Sequence, residues 1–356
     1  MFTIDVLPAQ RGDCLWLTYG TATRQRHVLI DGGPQDTIPT LLPELERRIK
    51  AVSSGKGRIE LLVVTHIDAD HIQGVVSLLS VPGRVGVFRD VWFNGFKHHD
   101  PDQLLGGVDA ERLTTRLLED PTRWNAAFAG RAVRLTDDGA PAVVKLRDGL
   151  TVTVLGPTRE ALTALAPDYL KSCIKAGIVA GEGQPSIPRS WQREEFLGGA
   201  FDPDLLGASR TTTDPSKPNG ASIILVAEYD GKRVLLTGDA SSKGILTALD
   251  RLGPGRHHFD AVKISHHGSR NNTSLAVAER IESPLWLVSS NGASFGHPDG
   301  ECLGRIVVSQ QRPTFCLNYV TDRVTGLIAG AGERYRVRLP KKKRDGTFEE
   351  GISISL

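Results

Sequence analysis

Residues 61–74, LLVVTHIDADHIQG, place two histidines and two aspartates within six positions directly after an apolar run. In an extended segment alternate side chains face the same way, so His66, Asp68 and Asp70 can converge on one side. His71 opens a helix and swings to an adjacent position. Two pairs of ligands result, His66 with Asp68 and Asp70 with His71. Two cations about 3.5–4 Å apart can be clamped between such pairs, as in two-metal hydrolases. One His or Asp at a strand end is ordinarily a turn or cap residue. Four of them in HxDxDH after a buried strand point to a metal.

The same residue types recur where later strands stop. VLLTGDA places Asp239 at one strand end, VKISHHGS places His266 and His267 at another, and NGASFGHP places His297 after a third. Each is ordinary alone, since an Asp after Gly is usually a turn and tandem histidines are usually a surface loop. The joint pattern carries the argument, because strand ends gather at one edge of an α/β sheet.

The positioning elements read as follows. FTIDVL, CLWLTY and RHVLIDGG are strands separated by turn signals, and residues 38–50 carry apolar positions at helical spacing. RIELLVV is a strand buried on both sides, and Val75, Val76, Leu78 and Leu79 continue the HIDADH loop into a helix. Residues 85–93 read as strand and 103–130 as helix. RAVRL, VVKLRDG and LTVTVLGP then read as short strands. The period decays over 158–218, a Gly-, Pro-, Ser- and Thr-rich stretch with a helical piece at REALTALAPDYLKSC, expected to be an irregular insertion or a lid. Regularity returns with ASIILVAEYDGKRVLLTGDA, a hairpin about Asp230-Gly231, and alternating strands and helices follow. The expectation is one layered α/β domain over residues 1–356: an N-terminal half (1–157), the insertion (158–218) and a C-terminal half (219–356).

The 356 residues, 40% hydrophobic and 24% charged, suit a globular chain with a full-sized core, and a formal charge of +2 does not by itself argue for nucleic acid. The N-terminal residues lack the pattern of a signal peptide, and no apolar run has the roughly 18 residues of a membrane helix. Cys14, Cys173, Cys302 and Cys316 form no CxxC pair and read as reduced, buried thiols. The cytoplasm is the expected location, with no membrane partner; protein partners are not legible.

The series LIDGG, THIDADHIQG, LLTGDA, KISHHGS and SNGASFGHP resembles the metallo-β-lactamase fold. More narrowly, it resembles the metallo-hydrolase domain of the DNA-uptake competence protein ComEC and its stand-alone relatives, over about residues 2–156 and 218–310. The resemblance implies an αββα four-layer sandwich with a metal site at one edge, and hydrolysis of a phosphodiester, DNA foremost, by metal-activated water. It implies His66, Asp68, Asp70 and His71 as the first metal motif, Asp239 as the bridging aspartate and His297 as the last ligand. It also implies His266 or His267 as proton donor or additional ligand, with a slight preference for His267 as donor, and Asp31 behind the ligands, orienting a histidine. Asp70 would also orient the attacking water.

Two departures from the lactamase pattern support the narrower likeness. Asp68 stands where most relatives have a second His, and the histidine expected before the TGD strand is replaced by KPNGAS, with Asn219 and Ser222 the polar candidates. Harder donors favour manganese over zinc, with magnesium a further alternative and one or two ions bound. Lys263 and Arg270, flanking the HHGS loop, are candidate phosphate contacts. The run Lys341, Lys342, Lys343, Arg344 is a further candidate phosphate contact, but reads first as a solvated turn between edge strands. Competing expectations are hydrolysis of a cyclic nucleotide, lactone, thioester or β-lactam, and a metal-binding regulatory module without catalysis.

Overall fold

The protein is described by a computed structural model covering residues 1–54, 58–98, 108–176, 201–293 and 295–356. Strands β1 (Phe2–Val6), β2 (Leu15–Thr21) and β3 (Arg24–Ile30) run antiparallel, and helix α1 (Ile38–Ser54) crosses to β4 (Ile59–Val64), parallel to β3. Helix α2 (Ala69–Leu79) leads to β5 (Phe88–Phe93), parallel to β4. After α3 (Val108–Leu118), β6 (Ala142–Lys145) and β7 (Thr151–Gly156) open a second sheet.

Helices α4 (Arg159–Ala176), α5 (Pro203–Gly207) and α6 (Lys217–Gly220) precede β8 (Ile224–Tyr229) and β9 (Lys232–Leu236). Then come α7 (Ser242–Asp250), the short β10 (His257–His258), β11 (Ala261–Lys263), α8 (Leu275–Arg280), the short β12 (Ile281–Glu282) and β13 (Leu285–Val288). The chain closes with α9 (Gly300–Ser309), β14 (Thr314–Leu317), α10 (Thr325–Ala329), β15 (Arg336–Arg338) and β16 (Ile352–Ser355). The sheet orders are β16-β1-β2-β3-β4-β5 and β15-β14-β13-β11-β9-β8-β7-β6.

Alternation along the strands makes the layers. Val28, Ile30, Leu61 and Val63 pack with Leu225, Ala227, Val234 and Leu236 in a core between the two sheets. Their neighbours Leu29, Leu62 and Val64 point the other way, onto Leu41, Leu45 and Ile49 of α1 and Ile72 and Val75 of α2. On the second sheet Ile224, Val226 and Leu235 face outward onto Ile245 and Leu249 of α7 and Leu303 and Ile306 of α9. Three apolar cores therefore separate four layers, the αββα sandwich expected.

Three stretches differ from expectation. The helix expected over 103–130 is α3 alone among its described residues, and residues 99–107 lie outside them. It cannot run further, because Asp120 precedes Pro121 and takes φ −144°, ψ 76°, and short 3₁₀ turns follow. RAVRL is not a strand: the Asn94 side chain bonds both Val133 N and Val133 O, at 2.8 and 2.9 Å, where a ladder partner would be. Within 158–218, α4 is a core helix, burying Leu162, Leu165, Ala166 and Tyr169 beside α2 and α3. Residues 177–200, within the expected insertion or lid, lie outside the described residues. The four cysteines are free and buried. Among the described residues no helix is long and apolar enough to cross a membrane.

Two close backbone crossings set the site loops against each other. A Cβ on Gly74 of α2 would stand 1.8 Å from Gly32 O, and one on Gly12 would stand 1.9 Å from Asp70 O. Both glycines are required by contact with backbone, which has no flexible end to yield. Gly74→Ala should therefore destabilise the fold by about 2–3 kcal/mol despite its better helix propensity. Chemical denaturation measures this, and a stabilised variant would refute the crossing.

Candidate metal centre

The parallel strands β3, β4, β9, β11 and β13 all end at one edge, and each releases a polar residue there. After β3, Asp31 adopts φ 57°, in the left-handed region, and is fully buried. Its carboxylate accepts from Thr65 N (2.8 Å) and Thr65 Oγ1 (2.7 Å), and lies 2.8 Å from His71 Nδ1. With Nδ1 so engaged, His71 presents Nε2, which lies 3.2 Å from Asp239 Oδ2. After β4, His66 Nε2 lies 3.6 Å from Asp68 Oδ2. Asp68 is the N-cap of α2 but makes no capping bond, which leaves its carboxylate for other use.

The second sheet supplies the rest through a strained turn. His266 (φ 49°), His267 (φ 57°) and Gly268 (φ 94°) are consecutively left-handed, a conformation costly for the two non-glycine residues. Bonds from His266 N to Gly238 O (3.2 Å), Ser265 Oγ to Ala240 O (2.6 Å) and Ser269 N to His266 O (2.9 Å) hold the turn. The strain turns His267 inward. Its Nδ1 lies 2.9 Å from Ser289 O and 3.3 Å from Asp13 Oδ1, while Nε2 lies 3.4 Å from Asp70 Oδ2 and 3.3 Å from Asp239 Oδ2.

Asp70, His71, Asp239 and His267 thus form one group whose ligand atoms all lie within 4.8 Å of each other. Burial disfavours charge on both imidazoles, but Asp239 and Asp31 around His71, and Asp239 and Asp13 around His267, hold both well above the usual histidine range. Burial likewise opposes ionisation of Asp70, yet His267 and His71 hold its carboxyl down at about 2. Asp239 is held well below its usual range by His71, His267 and His266 against the same burial cost. These residues fit a divalent cation. Nε2 of His66, His71 and His267, Oδ1 of Asp239 and Oδ1 of Asn219 are buried with no hydrogen-bond partner, an arrangement costly without a ligand. One divalent cation replacing the protons of two imidazolium ions leaves the net charge of the buried site unchanged.

The other expected residues are distributed around this group. His266 lies beside it, with Nε2 3.8 Å from Asp239 Oδ2 and Nδ1 3.0 Å from Asn272 Oδ1. His297, expected as the last ligand, stands outside the four-residue group. Its ring is 5.4 Å from that of His266 and its Nδ1 3.4 Å from Asp299 Oδ2, because the left-handed turn brings His267 into the cluster instead. Asn219 is buried, with Nδ2 donating to Asp214 Oδ2 (2.8 Å) and lying 3.4 Å from His266 Nδ1. Ser222 Oγ accepts from Asp239 N (3.3 Å), so it supports a candidate ligand's backbone.

Lys263 corrects the sequence expectation. It lines no approach: its side chain is 1% exposed, paired with Asp13 Oδ2 at 2.6 Å, and Nζ donates to Ile264 O. The third residue of a central parallel strand is covered on both faces, so its ammonium needs a buried carboxylate. Arg270 is 59% exposed and pairs with Glu301 at 3.2 Å, which offsets the charge expected to meet phosphate.

Sequence reasoning missed four residues. Asp13 holds both Lys263 and His267, and its only signal is an acidic residue in the turn QRGD ahead of β2. Asp214 and Asn272 are joined at 2.7 Å beside His266, from segments with no periodicity to mark them. Arg305, buried in α9, ties that region down by donating to Arg270 O (2.6 Å), Thr273 O (3.0 Å) and Ser209 O (3.2 Å).

A cavity of about 630 Å³ between the β2–β3 hairpin and α1 is a different place. It is lined by Ala22–His27 near the start of β3, whereas the cluster gathers where β3 ends. Arg24 and Arg26 pair there with Asp148, and Arg47 and Arg48 with Glu44.

The four layers, with a His/Asp cluster where strands of both sheets end, are the arrangement that the motif resemblance implies. No family model and no curated protein matches the chain. Solved structures similar to it include the metallo-β-lactamase fold protein YhfI from Bacillus subtilis, at 10% identity over 100% of both chains with a TM-score of 0.41. Zn²⁺-bound PqqB from Methylobacterium extorquens is 11% identical over 100% of both chains, TM-score 0.40. The short form of human tRNase Z is 10% identical over 100% of this chain and 99% of its own, TM-score 0.38. Likenesses this distant carry no functional inference.

Two outcomes follow from the electrostatics. In the metal-free protein, the raised pKa values of His71 and His267 contribute stability that is complete below pH about 6.5 and lost as pH rises through the raised values. A cation must displace those protons. Its apparent affinity should therefore rise with pH, and the gap in Tm between metal-loaded and metal-free protein should widen between pH 6 and 8. Calorimetry in buffers of differing ionisation enthalpy should register proton release, and none would be incompatible with these histidines as ligands. Separately, Lys263→Ala leaves Asp13 buried without its ammonium partner, with His267 alone beside it, and should cost about 3 kcal/mol, against at most about 0.5 kcal/mol for Arg270→Ala. Urea titration of both variants compares them directly.

Proposed function

We propose that this chain is a metal-dependent hydrolase that cleaves phosphodiesters, with DNA as its substrate. The observation that carries the reading is the convergence of Asp70, His71, Asp239 and His267, contributed by both sheets, with His71, Asp239 and His267 buried and each holding an unpartnered ligand atom. These four would hold one cation, and His66 with Asp68 would hold a second. Asn219 Oδ1, buried and unpartnered, is the further oxygen donor in the region. Carboxylate-rich donor sets favour manganese, with zinc and magnesium as alternatives. When bound, the cation supplies Lewis acidity, generating hydroxide near neutral pH and offsetting charge on phosphoryl oxygens.

The chain's own residues supply the rest. Asp239 faces His71, His266 and His267 and is placed to serve both halves of the site. Asp70 opens α2, where its carboxylate can hold the attacking water in line. His266, rather than the initially preferred His267, is the proton donor in this reading. His267 is buried, with Nδ1 on Ser289 O and Nε2 inside the candidate metal group, whereas the His266 side chain is 24% exposed and its Nε2 has only the 3.8 Å approach to Asp239. Burial opposes its charge, but Asp239 and Asp214 hold its pKa above the usual value, which favours the protonated ring a donor needs. A departing alkoxide needs that proton and a thiolate does not, which favours an oxygen ester over a thioester. The choice of a phosphodiester, and of DNA, rests on the ComEC-like series of motifs.

The test is cleavage of single- and double-stranded DNA by metal-stripped protein resupplied with manganese, magnesium or zinc. Manganese-dependent cleavage should be abolished in Asp70→Ala and reduced about 10²–10⁴-fold in kcat by His266→Ala. Absence of cleavage with metal demonstrably bound would overturn the nuclease reading. Turnover of a lactone, β-lactam or cyclic nucleotide in the same samples would replace it.

A further inference from the structure

The basic run at 341–344 is placed by the fold at the same edge as the candidate metal centre. Strand β15 is parallel to β14, and β14 to β13, so all three end where Ser289 and Ser290 leave β13. Strand β16 is antiparallel to β1 and begins where β1 ends, with Ile352 opposite Val6. The connection between β15 and β16 therefore stands on the site edge and passes from the outer strand of one sheet to the outer strand of the other. It forms a small hairpin, with Lys343 N bonded to Thr347 O (2.7 Å), Glu349 N to Lys341 O (2.7 Å) and Lys342 bridged to Phe348.

Its base is fastened to the site shelf. Gly351 N donates to Asn318 O (2.8 Å), the fully buried Asn318 side chain accepts from Ser290 N (3.0 Å), and Ser290 Oγ donates to His297 O (3.0 Å). The charges are segregated. Lys341, Lys342, Lys343 and Arg344 occupy the outgoing strand, all exposed, while Glu349 and Glu350 lie on the return. Asp345 at the tip is engaged by Thr347 N (2.9 Å) and Oγ1 (2.6 Å). Three arginines near the cluster have carboxylate neighbours: Arg11 with Asp36, Arg270 with Glu301 and Arg323 with Asp299. Among the described residues the four hairpin cations make no such ion pair.

We infer that this hairpin is a second contact for a nucleic-acid strand, its four cations binding backbone phosphates a few nucleotides from the scissile one. The inference rests on the phosphodiester reading for the meaning of the site but concerns binding alone. At about 4.8 Å per strand, β15 is about 10 Å from β13 and β16 about 14 Å from β3. Along a stacked strand rising roughly 3.4 Å per nucleotide this is a span of roughly three to four nucleotides. A substrate shorter than that cannot engage both places.

The experiment compares the full chain with a variant carrying Lys341→Gln, Lys342→Gln, Lys343→Gln and Arg344→Gln, each metal-loaded and metal-stripped. Fluorescence anisotropy reads binding of labelled 3-mer and 12-mer single-stranded DNA and RNA over a salt series. The variant should lose about tenfold to a hundredfold in affinity for the 12-mers at low salt, and its salt slope should fall by about 2–3. Binding of the 3-mer and hydrolysis of bis(p-nitrophenyl) phosphate should be unchanged. A charge-preserving variant, with arginine in place of the three lysines, should bind like the parent. Unchanged 12-mer affinity and slope would overturn the inference, as would failure of the parent to bind any 12-mer. So would loss confined to anionic phosphatidylserine vesicles. Hairpin-dependent binding without phosphodiester turnover would uphold the inference while refuting the proposed reaction.

Discussion

The structure turns on one buried carboxylate. Asp239, 2% exposed, faces His71 from the first sheet at 3.2 Å and His267 from the second at 3.3 Å. A carboxylate in that position is stable only if positive charge surrounds it, and the imidazoles or a cation must provide it. Each imidazole is in turn aimed by what its other nitrogen meets: Asp31 for His71, Ser289 O and Asp13 for His267. Asp13 then requires Lys263. The order of charges, cation behind carboxylate behind imidazole, reaches from the middle of the second sheet to the point where a ligand would bind.

That arrangement explains why the chain tolerates strain at 266–268. Two non-glycine residues in the left-handed region cost on the order of 1–3 kcal/mol each. An untwisted turn would leave His267 outside the seam and Asp239 without its second imidazole. Closely crossing glycines do the complementary work on the first sheet, bringing the loops after β1 and β3 onto α2 so that Asp70 and His71 meet partners at hydrogen-bond range.

Strand alternation made most of the fold legible. RHVLIDGG and RIELLVV read as strands, the second buried on both sides, and Val28 and Ile30 against Leu29, and Leu61 and Val63 against Leu62, divide between two cores. The sequence was less informative where side chains replace backbone partners. Asn94 stands in for a strand partner at Val133, and no pattern in RAVRL announces it. Nor does the Gly- and Pro-rich stretch around it announce α4 as a core helix, although Leu162, Leu165, Ala166 and Tyr169 stand at helical spacing with Pro167 and Asp168 on the exposed face.

Of the candidate site, the local part was written in the chain. HxDxDH after IELLVV determines a strand end, a helix start and four potential ligands, because their spacing is set by backbone geometry over a few residues. Asp31 behind His71 also followed from motif order. Partnership across the sheets was decided only in three dimensions. Whether His267 or His297 joins Asp70, whether Lys263 faces solvent or Asp13, and whether KKKR lies near the site depend on contacts between residues tens to hundreds of positions apart. Local spacing fixes which residues can converge; only the packing of one sheet against the other decides which do.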